Sequence, residues 1–259
     1  MTLLSRLETY YDAAPRPMAT TEQVGAFTLF RQSTEGGWPL YARPTLGNEA
    51  PVSRAQVETV RRRQRELELP ENLEWVHETT PTLLSAAREA GLHVAECPLL
   101  VLPDGAETFA PPLPERYDVR MLDADSPDLG AAVAAVSAGF AGTDDLRPPE
   151  PGPFATLLRS GALAMAGAYD ARGAVGGGSH ALRGETTELT GIAVLPRARR
   201  QGVGAAVTAL LVADARAYGA RTVFLSAQDD AVARVYERLG FQRVGTACVA
   251  QPPESASRA

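Results

Sequence analysis

The chain has 259 residues, of which 45% are hydrophobic and 22% charged, and its net charge is −6. This composition is typical of a globular protein with one large domain or two smaller ones. No run of about 18 apolar residues occurs, which excludes a transmembrane helix. The polar N-terminal stretch lacks the apolar core of a signal peptide, so we expect a cytoplasmic protein without a membrane partner.

The ionisable residues exclude several classes of protein. Cys97 and Cys248 are too few for paired-cysteine zinc sites, iron–sulfur clusters or a disulfide framework, and we expect no metal. Every basic side chain is arginine, which excludes Schiff-base chemistry and a P-loop lysine. No basic run is longer than residues 61–63, so nucleic-acid binding is not expected. Many Ala, Arg, Gly and Pro residues without lysine suggest a GC-rich bacterial genome.

Four regions follow one another along the chain. Residues 1–101 alternate short helical and strand patterns. Residues 102–116 contain four prolines, which predicts an extended linker. A second mixed α/β pattern covers residues 117–250, and residues 251–259 have no apolar side chains to bury beyond alanine, which predicts a disordered tail.

The second region alternates strand and helix patterns, separated by glycine and proline. The predicted strands are 117–122, 163–169, 175–182, 188–195, 222–226 and 241–249. The predicted helices are 125–140, 203–218 and 230–239, the last two ending before Gly219 and Gly240. The expected fold class is α/β with a mixed sheet.

The chain also resembles itself at an offset of 149 residues. Residues 75–76 then align with 224–225, and residues 90–92 align with 239–241, without a gap. One interpretation is that any strand–helix–Gly–strand unit resembles another. The alternative is a duplicated half-domain whose first copy has lost its functional residues.

Residues 188–205 contain the most informative motif. A strand ends at Pro196, an arginine-rich loop follows, and Gly202-Val203-Gly204 opens a helix. Unpaired N–H groups and the helix dipole favour an anion there, and Arg197, Arg199 and Arg200 add positive charge. A bound pyrophosphate is one interpretation, and a plain strand-to-helix turn is the other. No third glycine completes a dinucleotide-binding fingerprint.

Two motifs together resemble the GNAT acyltransferase superfamily. Residues 199–204 (RRQGVG) match its Arg/Gln-x-x-Gly-x-Gly/Ala signature, and residues 229–241 (DDAVARVYERLGF) resemble its closing helix. The resemblance covers residues 117–249 and implies the GNAT acyl-CoA N-acyltransferase fold. Asp229 and Val232 depart from the Asn and Ala that the family often has. Residues 1–101 resemble the smaller, degenerate first module of two-module members.

The resemblance implies that acetyl-CoA is the acyl donor. Main-chain N–H groups would hold its pyrophosphate, and the preceding strand end would pair with its pantetheine arm. An N–H group near Ile192 would polarise the acetyl carbonyl. The implied cofactor-binding residues are Ile192, Ala193, Val194, Arg199, Arg200, Gln201, Gly202, Val203, Gly204, Ala205 and Asp229.

The implied catalytic residues are Tyr236, which would protonate the departing thiolate, and Glu188, which would take a proton from the amine. The alternative for Tyr236 is a core tyrosine on the apolar stripe of its helix. The alternative for Glu188 is a solvent-exposed residue at the start of a strand. Glu185 is the second candidate base. His180 would face the acceptor cleft or be a satisfied structural histidine.

The expected activity is transfer of an acetyl group from acetyl-CoA to a primary amine by direct attack in a ternary complex. The alternatives are a non-catalytic acyl-CoA sensor and an enzyme for a longer acyl-CoA. One acetyl-CoA is expected per chain, because Ser53 and Ala55 stand in the first copy where Gly202 and Gly204 stand in the second. Composition leaves the amine acceptor and a homodimer open. Candidates for the wall of the acceptor cleft are Trp38, Tyr41 and Trp75.

Overall fold

The computed structural model describes residues 2–33, 40–148 and 150–253. The chain divides into two compact units, and their described residues fall within Met1–Leu99, Ser226–Ala233 and Val244–Ala259 for the first unit, and Leu100–Leu225 and Arg234–Arg243 for the second. The described helices are α1 (Leu3–Ala13), α2 (Arg54–Glu66), α3 (Thr82–Glu89), α4 (Leu129–Ala141), α5 (Phe154–Arg159), α6 (Val203–Ala217) and α7 (Asp230–Arg238).

The strands of the described chain alternate with these helices. They are β1 (Ala19–Val24), β2 (Phe27–Gln32), β3 (Ala42–Pro44), β4 (Leu73–Val76), β5 (His93–Leu102), β6 (Asp118–Leu122), β7 (Ala164–Asp170), β8 (Gly173–Arg183), β9 (Thr186–Val194), β10 (Thr222–Ser226) and β11 (Gln242–Gln251).

The first unit is built on the strand order β1-β2-β3-β4-β11-β5. β3 and β4 run parallel, whereas β1/β2, β2/β3 and β4/β11 are antiparallel. Apolar residues three positions apart on α2, Val57 and Val60, are fully buried, as are Leu83 and Trp75. These side chains share one hydrophobic core, which the 3.6-residue period of the helices directs onto the sheet.

The second unit has the strand order β10-β9-β8-β7-β6, with β9 and β10 parallel and the other pairs antiparallel. Two helices cover its opposite faces. A Cβ built on Gly177 would meet Val136 of α4, whereas one built on the next residue, Gly178, would meet Val207 and Leu211 of α6. Successive strand residues point to opposite faces, so α4 and α6 sandwich the sheet.

The predicted α/β class with a mixed sheet is confirmed, but several element boundaries differ from the prediction and one helix was missed. The helix predicted from residue 125 begins at Leu129, because Pro127 disfavours helical backbone at the residue before it. The six-residue helix α5 was missed, since a segment this short carries too few periodic positions. β11 extends to Gln251, the first residue of the predicted tail.

Two of the sequence-based expectations fall on residues that the structure does not describe, and one falls on a core residue. Trp38 lies outside the described residues, as do residues 254–259 of the expected tail. Trp75 is 1% exposed and belongs to the core of the first unit. Among the described residues, no helix combines the length and the apolar character needed to cross a lipid bilayer.

The offset of 149 residues recurs in the element boundaries. Shifted by that number, the start of α2 coincides with that of α6, and the start of β4 coincides with that of β10. Both ends of β5 coincide with both ends of β11. The agreement extends over two strands and a helix.

Candidate active site

The parallel strands β9 and β10 pair over only part of their length. Their register joins Thr186–Glu188 to Thr222–Phe224, yet β9 continues to Val194. On its other edge β9 remains paired with β8 as far as Val194. Residues 190–194 therefore present one backbone edge without a strand partner in the described chain. Such an edge can accept an extended ligand as an additional strand.

A β-bulge interrupts β9 within this segment. Ser179 of β8 pairs with Thr190 and Gly177 pairs with Ala193, so Gly191 and Ile192 together oppose Gly178. Gly191 adopts φ +63°, a conformation that costs a side-chain-bearing residue energy. The bulge turns Ile192 onto the α6 face, where its Cγ1 would lie 2.7 Å from a Cβ on Gly178. A bulge of this kind re-aims the backbone amides around it.

The first turn of α6 leaves its amide groups unpaired. The first bond inside the helix joins the Ala206 N–H to the Gly202 carbonyl at 2.9 Å. No acceptor occurs in the described chain for the N–H groups of Val203, Gly204 and Ala205, and no side chain caps the helix at Gly202. Arg200 and Gly202 have φ values of +57° and +83°, which curls the preceding loop. Unpaired amides in such a curled loop form an anion-binding concavity.

The three arginines of the loop have different surroundings. The Arg197 guanidinium forms an ion pair with Asp170, and its backbone N–H donates to Asp144 at 3.2 Å. The Arg199 guanidinium donates to two carbonyls, those of Val194 at 3.0 Å and Gly139 at 2.7 Å. The Arg199 side chain thus holds the loop against β9 and α4, and the Arg197 side chain ties it to the end of β7. Arg200 is exposed and makes no ion pair in the described chain.

Tyr236 lies on α7 with its ring half-buried. The ring packs edge-on against Phe241, with 5.9 Å between centroids, and its hydroxyl has no hydrogen-bond partner in the described chain. Burial raises the pKa of Tyr236 to about 12, because it disfavours the phenolate. At neutral pH the side chain is therefore a protonated phenol with a free donor. Both a core role and a proton-donating role are compatible with this position.

Glu188 is half-buried and lies where the β9–β10 register ends. The preceding residue, Thr187, meets His180 on the α6 face, so Glu188 points to the opposite face of the sheet. The alternative base, Glu185, is exposed and has a carboxylate oxygen 3.9 Å from Arg221. Glu188 thus lies at the last position of β9 that is paired with β10, two residues before the unpaired edge.

Two other predicted residues make structural hydrogen bonds. His180 is 3% exposed, and its Nε2 lies 2.9 Å from Asp214 and its Nδ1 3.2 Å from the Thr187 hydroxyl. Both ring nitrogens are thereby satisfied. The Asp229 carboxylate accepts the Val232 N–H at 2.8 Å and caps the start of α7. That bond occupies one carboxylate oxygen at the position where the resemblance implied a cofactor contact.

The resemblance implies that replacing Gly202 with alanine weakens coenzyme A binding about tenfold, because the added strain at φ +83° shifts the loop. A Cβ there would lie 3.6 Å from Pro111. Gly219→Ala is the matched control, since Gly219 has φ +94° and no atoms near its Cβ position. Titration calorimetry measures both variants. Equal affinity in the two variants would argue against the loop as the anchor.

Two features of the site were not predicted from the sequence. The bulge had one signal, an isolated glycine, Gly191, within a strand pattern. The second is the contact between residues 107–116 and the ends of α6 and α7. Sequence reasoning treated this segment as a linker, and the only signal was its prolines, which stiffen a segment without specifying what it touches.

The chain is similar in sequence to one protein family and in fold to several solved structures. Residues 120–241 match the model of the acetyltransferase (GNAT) family. No curated protein matches. A GCN5-related N-acetyltransferase from Kribbella flavida aligns with 99% of this chain and 98% of its own, at 22% identity and a TM-score of 0.73.

Two further solved structures share the fold over most of the chain. A tandem GNAT protein from the clavulanic acid biosynthesis pathway covers 90% of this chain and 80% of its own, at 17% identity and a TM-score of 0.58. A GCN5-related N-acetyltransferase from Sphaerobacter thermophilus covers 92% and 85%, at 14% identity and a TM-score of 0.57. At these identities the likeness concerns the fold alone. The chain therefore carries, at residues 120–241, a domain of the GNAT acetyltransferase family, whose chemistry is acyl transfer from an acyl-CoA donor.

Proposed function

We propose that this domain transfers an acetyl group from acetyl-CoA to a primary amine by direct attack in a ternary complex. One observation carries the proposal. The unpaired edge of β9 at residues 190–194 leads, through a short loop, into the unpaired first-turn amides of α6. A single extended ligand with an anionic end suits this combination, since the edge can pair with pantetheine and the amides with pyrophosphate.

The proposed reaction assigns a role to each group. The amine nitrogen attacks the thioester carbon, and an amide near the Gly191 bulge stabilises the developing oxyanion. Glu188 accepts the proton that the amine loses. The carbon–sulfur bond then breaks, and the phenol of Tyr236 gives its proton to the departing thiolate. Burial keeps the phenol of Tyr236 protonated at neutral pH, as a proton donor must be, although the raised pKa makes it a weaker acid than an ordinary tyrosine.

The first unit is proposed to be a degenerate GNAT-like module that binds no second acetyl-CoA. In this unit the N–H of Ser53, at the start of α2, donates to the Gln56 side chain at 2.8 Å. Ser53 and Gln56 form a capping box there, whereas the start of α6 has no side-chain cap. The coincident boundaries of α2 with α6 and of β4 with β10 support duplication.

The experiment is release of free thiol from acetyl-CoA, measured with a panel of amines: polyamines, aminoglycosides, amino acids and peptides with a free N-terminus or lysine. Amine-dependent thiol release supports the proposal. Coenzyme A binding without release across the panel would contradict it in favour of a sensor.

A thermal-shift series with acetyl-, succinyl- and longer acyl-CoA tests the choice of donor. A ligand at 100 times its dissociation constant stabilises the protein by about 2.7 kcal/mol. Acetyl-CoA is expected to give the largest shift at equal concentrations. A larger shift with a longer acyl chain would contradict the acetyl preference while leaving acyl transfer intact.

A further inference from the structure

Residues 103–116 join the start and end of α6 without forming a helix or strand of their own. At the beginning of this segment the Pro103 carbonyl accepts from Arg216, in the last turn of α6, at 3.4 Å. At its end the guanidinium of Arg116 donates to the Gln201 side-chain carbonyl, in the loop before α6. The segment therefore runs the length of a helix about 22 Å long.

The middle of the segment is fastened to the end of α7. The Phe109 N–H donates to the Leu239 carbonyl at 3.1 Å, which satisfies one of the orphan carbonyls beyond the helix. Gly240 has no side chain, and the Phe109 ring lies 3.3 Å from the position that its Cβ would take. The contact thus depends on glycine at this position, although most of the Phe109 ring surface remains exposed.

The last part of the segment lies against the loop before α6. Pro111 Cγ and the Pro112 carbonyl oxygen are 3.6 and 3.9 Å from the Cβ position of Gly202. Prolines fix the backbone and have no N–H to satisfy, so the segment keeps an extended form at small entropic cost. The consequence is that Arg116 is held beside the loop by the chain on its N-terminal side as well as by β6, which begins at Asp118.

The charges around the loop are unevenly compensated. Arg197 is paired with Asp170, so it contributes little net positive charge. Arg116 is exposed, stacks 5.0 Å from the Tyr117 ring centroid and donates to the neutral Gln201 side chain. It forms no ion pair within the described residues. An uncompensated guanidinium next to unpaired helix amides is suited to a phosphate oxygen.

We propose that Arg116 is a phosphate-binding residue of the donor site, held in place by the segment at residues 103–116. This inference rests on the proposed function and deepens it, because it assigns part of the coenzyme A affinity to a residue outside the family match at residues 120–241. The guanidinium exchanges its bond to Gln201 for a charge-assisted bond to one of the phosphates of the donor. Gln201 then remains bonded to the Arg197 carbonyl, 3.1 Å from its side-chain nitrogen.

The test is calorimetric titration of the full chain with coenzyme A, 3′-dephospho-coenzyme A and pantetheine. Arg116→Gln is expected to weaken coenzyme A about tenfold, the loss typical of one hydrogen bond to a charged group. Pantetheine has no phosphate, so its affinity should not change. An effect that disappears with 3′-dephospho-coenzyme A assigns the contact to the 3′-phosphate, and one that persists assigns it to the pyrophosphate.

Two controls separate this role from a structural one. Arg116→Lys keeps the charge and should retain most of the affinity, and Arg159→Gln removes an exposed arginine on α5 and should change nothing. Unchanged coenzyme A affinity in Arg116→Gln overturns the inference alone, as does an equal loss with pantetheine. Absence of coenzyme A binding by the wild-type protein overturns the proposed function as well.

Discussion

Replacing Tyr236 with phenylalanine is expected to lower kcat about 100-fold, the lower end of the range for general acid catalysis. Coenzyme A affinity should not change, because the ring and its packing against Phe241 remain. Stability should also be unaffected, since the hydroxyl makes no hydrogen bond in the described chain. Steady-state thiol release and thermal unfolding measure these effects.

The pH dependence sharpens this prediction. Because the pKa of Tyr236 is raised to about 12, ionisation of the phenol should not lower the wild-type kcat through the neutral and mildly alkaline range. Tyr218→Phe is the matched control, since Tyr218 is 73% exposed at the end of α6. A Tyr236→Phe enzyme with the same kcat as the wild type would assign Tyr236 to packing alone.

Replacing Glu188 with glutamine is expected to lower kcat/KM about 100-fold at neutral pH. The amine is protonated at that pH, and the variant has no carboxylate to remove its proton. The deficit should shrink as the pH approaches about 10, where an ordinary alkyl amine loses its own proton. Coenzyme A affinity should stay unchanged. A pH profile of both enzymes, with the amine acceptor identified by the panel, measures the effect.

Glu185→Gln provides the control for this experiment. Glu185 lies three residues earlier, is exposed and is close to Arg221, so its removal should leave kcat/KM and its pH profile unchanged. Loss of activity in Glu185→Gln with full activity in Glu188→Gln would transfer the base to Glu185. Full activity in both variants would remove both carboxylates from the mechanism.

Sequence reasoning succeeded where local chemistry determines structure. α6 lies within the predicted helix because Gly202 and Gly219 bracket a periodic apolar stripe, and β10 matches its predicted bounds. The offset of 149 residues also relates both ends of β5 to both ends of β11, although these bounds were not predicted and the alignment contained almost no identities. Glycine stops and hydrophobic periodicity carried these predictions.

Features that depend on distant partners could not be predicted in this way. The bulge at Gly191 is defined by the register of β9 against β8, which no local pattern fixes. The bond from Arg199 to the Gly139 carbonyl joins residues on different elements. The contact between Arg116 of the proline-rich segment and Gln201 of the loop likewise joins residues 85 positions apart.

Titrating the isotopically labelled protein with coenzyme A while following backbone amide resonances tests whether the first turn of α6 holds the pyrophosphate. The account predicts the largest shifts at Val203, Gly204 and Ala205, the amides that lack partners in the first turn of α6. Pantetheine should instead shift the amides of residues 190–194 and leave those of the first turn nearly unmoved. Saturation with coenzyme A that leaves the first-turn amides unchanged would contradict the account.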